Sequence, residues 1–252
     1  MRALALIPAR YASTRFPGKP LALLAGRPMI AWVVEAAAAA RRIDAVWVAT
    51  DDRRIARAAE QAGARVAMTS PECASGTDRV AQAAREVPAD VYVNVQGDEP
   101  LVDPGDVDAL VEAFVRDPSV RMATLARPLT DPAAFEDPGV VKVVCDARGD
   151  ALYFSRAPIP HFRDRSPEDA ASAGAATPLA HLGVYGFRGQ ALQAFARLPR
   201  GRLEEAEKLE QLRALEAGWK IRVVPARSDT VGVDRPEDLC RVEQLWNARR
   251  GA

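Results

Sequence analysis

Four short apolar runs, Arg2–Pro8, Ala45–Thr50, Arg65–Thr69 and Asp90–Gln96, alternate with longer amphipathic stretches, and this rhythm constrains the fold more than any other feature of the chain. The stretches Pro28–Arg41, Asp52–Ala62 and Thr77–Glu86 predict helices. Pro28 suits a first helical turn, and Gly63, after an Ala-rich run, reads as a C-cap. Strands joined through helices must lie parallel, in a sheet covered on both faces, so the expected class is α/β. Such sheets bind ligands beyond the carboxyl ends of their strands. That rule singles out Ala9–Pro20, after the first strand, and Gly97–Pro104, after the fourth.

The rhythm changes after Pro118. Met122–Pro128, Val140–Asp146 and Ala151–Phe154 read as strands without helices between them, a β-rich lobe at roughly 120–190 within a single domain spanning 1–252. Arg163–Pro178 is polar and rich in small residues, and reads as a loop. Leu179–Phe187 returns to strand, Leu203–Ala217 reads as one amphipathic helix, Lys220–Pro225 as strand and Arg235–Arg249 as a closing helix.

Thirty-four basic residues balance thirty-four acidic ones, which gives no field to favour nucleic acid or an anionic membrane as partner. No apolar run approaches the ~20 residues needed to span a bilayer. The start, MRALALIPAR, has no small-residue cleavage pattern and reads as a strand. Cys73, Cys145 and Cys240 are odd in number, scattered and without metal-ligand spacing, which fits a reduced, cytoplasmic setting. With only His161 and His181 in the chain, a zinc site is not expected.

Within IPARYASTRFPGKPL, Ile7–Leu21, a strand runs into Ala9, Arg10, Ser13, Thr14, Arg15, Gly18 and Lys19. Glycine admits close backbone approach to an anion, successive N–H groups can cradle phosphate oxygens, and three cations would neutralise a triphosphate. The alternative is a solvated basic loop in an Arg-rich chain. Both the Walker and the dinucleotide glycine spacings are absent. VYVNVQGDEPLVDP, Val91–Pro104, places Asp98 just past a strand and a glycine, where an α/β enzyme holds Mg²⁺ against phosphates; a polar turn capping a helix near Asp106 is the plainer reading. Asp234 in TVGVDRPEDL would by itself be a helix N-cap, with Glu237 and Asp238 as first-turn acids. Ser75-Gly76-Thr77-Asp78-Arg79 could read a pyrimidine edge through N–H groups and hydroxyls, or simply cap a helix at Ser75 or Thr77.

Taken as a whole string, the first loop resembles the signature loop of sugar nucleotidyltransferases. In the form A-R-Y-x-S-T-R-x-P-G-K-P-L it is similar to that of the Kdo cytidylyltransferases (Kdo, 3-deoxy-D-manno-octulosonate), with Phe16 where that family often has Leu. The resemblance implies a Rossmann-like nucleotidyltransferase three-layer sandwich with a mostly parallel mixed sheet and a smaller β-rich lobe for dimerisation and sugar binding. It implies CTP bound by Ala9, Arg10, Ser13, Thr14, Arg15, Lys19, Ser75, Gly76, Thr77 and Arg79, and Mg²⁺ held by Asp98 and Asp234, with Arg10, Arg15, Lys19 and these two carboxylates as the catalytic set. The family often has a His two residues before that Ser; here it is Cys73, which is assigned no role.

The acidic sugar would meet Gln96, Arg156 through its carboxylate, His181 and Tyr185 from HLGVYG, and Glu210 and Gln211 from LEQLR. The chemistry implied is attack of the sugar's anomeric hydroxyl on the CTP α-phosphate with loss of pyrophosphate, serving the lipopolysaccharide core of Gram-negative bacteria in a homodimer. Transfer to sialic acid or an amino-Kdo analogue, and a non-catalytic nucleotide-binding module, are the alternatives. Both Asp98 and Asp234 being present argues against the module, and the missing glycine fingerprint argues against an NAD-dependent oxidoreductase.

Overall fold

The computed structural model describes residues 1–13, 16–163, 177–227 and 232–251, with 249–251 described by backbone only. Thr14 and Arg15, and most of the loop expected at Arg163–Pro178, lie outside the described residues.

Strand β1 (Ala3–Ala9) is apolar throughout and buried at every position, as a strand covered on both faces must be. It pairs in parallel with β4 (Ala45–Thr50) and β6 (Val91–Asn94), and β5 (Arg65–Met68) extends the sheet beyond β4. A hairpin of two-residue strands, β2 (Leu23–Leu24) and β3 (Arg27–Pro28), stands apart. Side-chain alternation along β1 divides its burial between two cores. Ala3, Ala5 and Ile7 pack with helices α1 (Met29–Ala38), α2 (Arg53–Gln61) and α4 (Pro104–Arg116). Leu4 and Leu6 pack with α3 (Gly76–Glu86) and with α6 (Gly189–Phe195), so the molecule is a three-layer sandwich.

The parallel rule breaks beyond β6, where β10 (Leu179–Arg188) runs antiparallel between β6 and β7 (Met122–Pro128). The main path is β11-β7-β10-β6-β1-β4-β5, with β11 (Ile221–Pro225) parallel to β7 at the edge. The β-rich stretch is thus divided. β7 and β10 belong to the central sheet, and only β8 (Lys142–Cys145) and β9 (Ala151–Ser155) extend off it, β8 pairing with the start of β10. A short helix, α5 (Pro132–Glu136), capped by Asp131, sits where no helix was expected.

The expected helix over Leu203–Ala217 is instead two: α7 (Arg202–Glu207) and α8 (Leu212–Glu216). Lys208 ends the first in a left-handed conformation at φ 55°. The periodicity is genuinely helical, but the break lets Glu204 meet Arg213 in a buried bidentate pair, with bonds of 2.6 and 2.7 Å. It also turns Leu209 and Gln211 inward. Tertiary pairing overrides local propensity here. Helix α9 (Pro236–Gly251) closes the chain.

Candidate active site

The carboxyl ends of β1 and β6 open onto a cleft of about 230 Å³. Ala9, Arg10, Ser13 and Lys19 line it from the first loop, Ser75, Gly76 and Arg79 from the start of α3, Gln96, Gly97 and Asp98 from the end of β6, and Asp234 from before α9. The first loop is closed on itself by a bond from Gly18 N–H to the Tyr11 carbonyl, 2.9 Å. Gly18 takes φ +71°, and a Cβ there would lie 3.0 Å from the Tyr11 ring. The Arg54 guanidinium stacks on the other part of this device, 3.7 Å from the Tyr11 ring centroid, and is itself held by Asp52.

Closure of the loop delivers Lys19 to the two carboxylates singled out from the sequence. Its Nζ lies 2.5 Å from Asp98 Oδ2 and 3.6 Å from Asp234 Oδ1. A backbone bond from Val233 N–H to the Asp98 carbonyl, 2.9 Å, draws the two acid segments together across the chain. Two hard carboxylate oxygens converging on one positive charge form a donor set that fits Mg²⁺, which keeps water and phosphate oxygens for the rest of its shell. Among the described residues no cluster of three or more His, Cys, Asp or Glu side chains could hold a metal by itself.

Of three expected CTP contacts, one leaves the cleft and two line it while also bonding within the protein. Thr77 is buried beneath the cleft, and its hydroxyl bonds the Glu210 carboxylate. Arg79 lines the cleft but is almost wholly buried, bonded to Thr69 Oγ1 at 2.5 Å and Asp51 Oδ2 at 3.2 Å. Ser75 both lines the cleft and caps α3, its Oγ accepting from Asp78 N–H at 3.1 Å.

A second cleft of about 500 Å³ adjoins the first through Gln96, which lines both. His181, Gly183 and Tyr185 face it from β10, where an irregularity in the pairing lets three residues of β10 advance against one of β7. Such bulges re-aim side chains. Glu210 and Gln211 come from the turn between α7 and α8, and Tyr185 Oη donates to Gln211 Oε1 at 3.1 Å. His181 is partly covered, its ring edge-on to Phe154 at 5.0 Å and tilted against Tyr185 at 5.5 Å. Burial holds its imidazole down at about 3. Burial also raises Glu210, against the opposing bond from Thr77.

Arg156 does not line this cleft. Its guanidinium donates to the carbonyls of Glu207, 2.8 Å, and Pro138, 2.9 Å. With Lys142, fully buried and donating to the carbonyls of Asp137, Val140 and Arg156 at 2.6–2.9 Å, it ties down the turn that forms the cleft wall at Gly139–Val141. The sequence reading assigned no role to Glu99, Arg127 or Lys208, all of which line the cleft. Burial first and the Asp98 charge second push Glu99 up to about 8. Glu99 Oε2 and Gln211 Nε2 are both buried without a hydrogen-bond partner among the described residues. Glu99 could have been found from its place next to Asp98 past a strand end; Arg127 is one more arginine of an Arg-rich chain, on a strand, and Lys208 falls in a run that reads as one helix, so neither carries a local signal.

The family model described as Cytidylyltransferase matches residues 4–221. The 3-deoxy-manno-octulosonate cytidylyltransferase of Anaeromyxobacter sp. (strain Fw109-5) is 55% identical over 249 residues, 98% of each chain. That of Syntrophotalea carbinolica is 52% identical over 240 residues, 95% of this chain and 96% of the other. Among solved structures, a CMP:2-keto-3-deoxy-manno-octonic acid synthetase complexed with CTP is 42% identical. It superposes with a TM-score of 0.91 over 99% of this chain and 100% of that one.

Proposed function

The chain belongs to the cytidylyltransferase family, and from that premise we propose that it joins CMP from CTP to Kdo, releasing pyrophosphate and giving CMP-Kdo. The observation that carries the reading is the pairing of the two clefts. One gathers Arg10, Lys19, Asp98 and Asp234, the charges a metal-bound triphosphate needs. The other, meeting it at Gln96, presents two buried polar atoms, Glu99 Oε2 and Gln211 Nε2, that a ligand rich in hydroxyls would satisfy.

In this reading the oxygen of the Kdo anomeric hydroxyl attacks the α-phosphorus in line, an O–P bond forms as the hydroxyl proton passes to solvent, and the bond to the pyrophosphate oxygen breaks. Arg10, Lys19 and Arg15 neutralise the triphosphate and the charge that develops on the leaving pyrophosphate. Asp98 and Asp234 would hold Mg²⁺, which when bound polarises the phosphoryl oxygens and orients the attacking group. Gln96, His181, Tyr185, Glu210 and Gln211 hold and orient the sugar. Arg127 and Lys208 are the cations that line its cleft, so they are better placed than Arg156 to meet its carboxylate.

Further proposals attach to this one: a cytoplasmic location, a product used for lipopolysaccharide, and a homodimer. The first is supported by Cys73, Cys145 and Cys240, all three free thiols, as a reducing compartment keeps them. The last is supported by strand β9, which among the described residues pairs only with β8 and carries the exposed Leu152. The deciding experiment measures pyrophosphate release from CTP and Mg²⁺ with Kdo, an amino-Kdo analogue, sialic acid and no sugar in parallel. Release with Kdo alone is expected. Release with another acid sugar would change the acceptor and keep the chemistry, and no release with any sugar would leave a nucleotide-binding module.

A further inference from the structure

A line of buried polar groups runs under the boundary between the two clefts. Asn94, on β6, has no exposed surface, and Thr77, on α3, has almost none. Neither lines either cleft. A buried amide must use both its ends, and Asn94 does. Its Oδ1 accepts from Gln96 Nε2 at 3.4 Å, and its Nδ2 donates to Thr77 Oγ1 at 3.3 Å. The Thr77 hydroxyl, having accepted from Asn94, gives its single proton to Glu210 Oε1.

Every bond in this series points the same way, from Gln96 through Asn94 and Thr77 to Glu210. That polarity has a consequence at the Gln96 end. With Nε2 committed to Asn94 and to the Gly183 carbonyl at 3.2 Å, the amide oxygen is turned toward the nucleotide side. There a Cβ on Gly76 would lie 3.7 Å from Gln96 Oε1.

We infer that Asn94 and Thr77 are positioning residues, which through this one-way relay hold Gln96 and Glu210 in place for the sugar. The inference rests on the assignment of the second cleft to the sugar. It replaces direct CTP contact as the role of Thr77.

The test is steady-state pyrophosphate release by Thr77→Val, Thr77→Ser and Asn94→Asp, with the KM of each substrate measured separately. Thr77→Val keeps the shape and removes the donor, and Asn94→Asp replaces the donating end with an acceptor. An unsatisfied buried group is worth roughly 5- to 150-fold, so both variants should lose on the order of tenfold or more in kcat/KM for Kdo. The KM for CTP should stay within about twofold, and Thr77→Ser should restore the wild-type values. Unchanged kcat/KM for Kdo in Thr77→Val, equal damage in Thr77→Ser, or a parallel rise in the KM for CTP would overturn the inference. If Thr77→Val does not fold, Thr77→Ala carries the same expectation.

Wild-type enzyme that is silent with every sugar would count against the functional reading and not against the relay. The relay is then read from a double-mutant cycle of Thr77→Val with Glu210→Gln in urea unfolding. Non-additive stabilities are expected, and additive ones would overturn it.

Discussion

Gly97 holds the two halves of the nucleotide cleft at their present spacing, and replacing it with alanine tests whether that spacing matters. Gly97 stands between Gln96 and Asp98, and a Cβ there would lie 2.7 Å from the Pro8 carbonyl oxygen. Its φ lies outside the left-handed range, so alanine meets no backbone strain. The cost is purely one of contact. Ordinary contact begins at 3.4 Å, so β1 and the Gly97 turn must part by about 0.7 Å. Pro8 is the last strand residue but one before the loop that carries Arg10 and Lys19. The displacement is therefore handed to those groups relative to Asp98.

Overpacking of this kind costs about 1–3 kcal/mol of stability. In a domain of this size that lowers Tm by roughly 2–12 °C. A misplacement approaching 1 Å at reacting groups costs about 100-fold in rate, so kcat for pyrophosphate release should fall by about 30- to 100-fold, and more than the KM for CTP changes. Gly189→Ala is the control, because its Cβ would meet the Ala89 carbonyl at the same 2.7 Å but away from both clefts. It should lower Tm comparably and leave kcat within about twofold. A Gly97→Ala enzyme with undiminished kcat, or an equal loss in Gly189→Ala, would refute the reasoning.

Asp98→Asn should lower kcat by at least about 10³-fold, with Tm nearly unchanged because the side chain is about a third exposed. Chelation of the wild type should abolish release and added Mg²⁺ restore it, whereas full activity in chelator would remove the metal from the scheme. Glu204→Gln leaves the buried Arg213 without its carboxylate and should cost about 3–5 kcal/mol in urea unfolding. It should also raise the KM for Kdo, since the pair fixes the turn bearing Glu210 and Gln211. His181, held near 3 when folded and at 6.5 when unfolded, refuses a proton that the unfolded chain binds between those values. Its contribution is fully present above pH 6.5 and is lost as pH falls toward 3, at no more than about 1.4 kcal/mol per unit for a group that is partly exposed. Urea titrations at pH 5 and pH 7 should show a smaller loss on acidification in His181→Gln than in wild type.

The sheet was legible where burial leaves a mark on composition. β1 is apolar at every position because both its faces are covered, and β4, with two valines and a threonine, begins and ends where its β-branched run does. The helix broken at Lys208 was not legible, because RLEEAEKLEQLRALEAG is a good helix by every local measure. What breaks it is Glu204 reaching Arg213, a gain that exists only once the surrounding core is in place.

The site divides in the same way. Arg10, Gln96 and Asp98 sit just beyond strand ends, Ser13 shares the first loop, and Lys19 stands in it between a glycine and a proline, so their chemistry is announced by their neighbours in the chain. Thr77 and Arg156 look just as exposed to ligand in sequence. Their partners settle the matter, and those are remote: Glu210 is 133 positions from Thr77, and the Glu207 carbonyl 51 from Arg156. Asn94, between them in kind, reads as one more residue of an apolar strand, yet its amide joins two clefts. A group that touches substrate needs only to be at the right surface, and local pattern can place it there. A group that orients another must meet a particular donor or acceptor at hydrogen-bond distance, a relation that exists in three dimensions and leaves no period or spacing in one. For that reason substitutions at Asn94 and Thr77 probe the architecture of this site more sharply than substitutions in its signature loop.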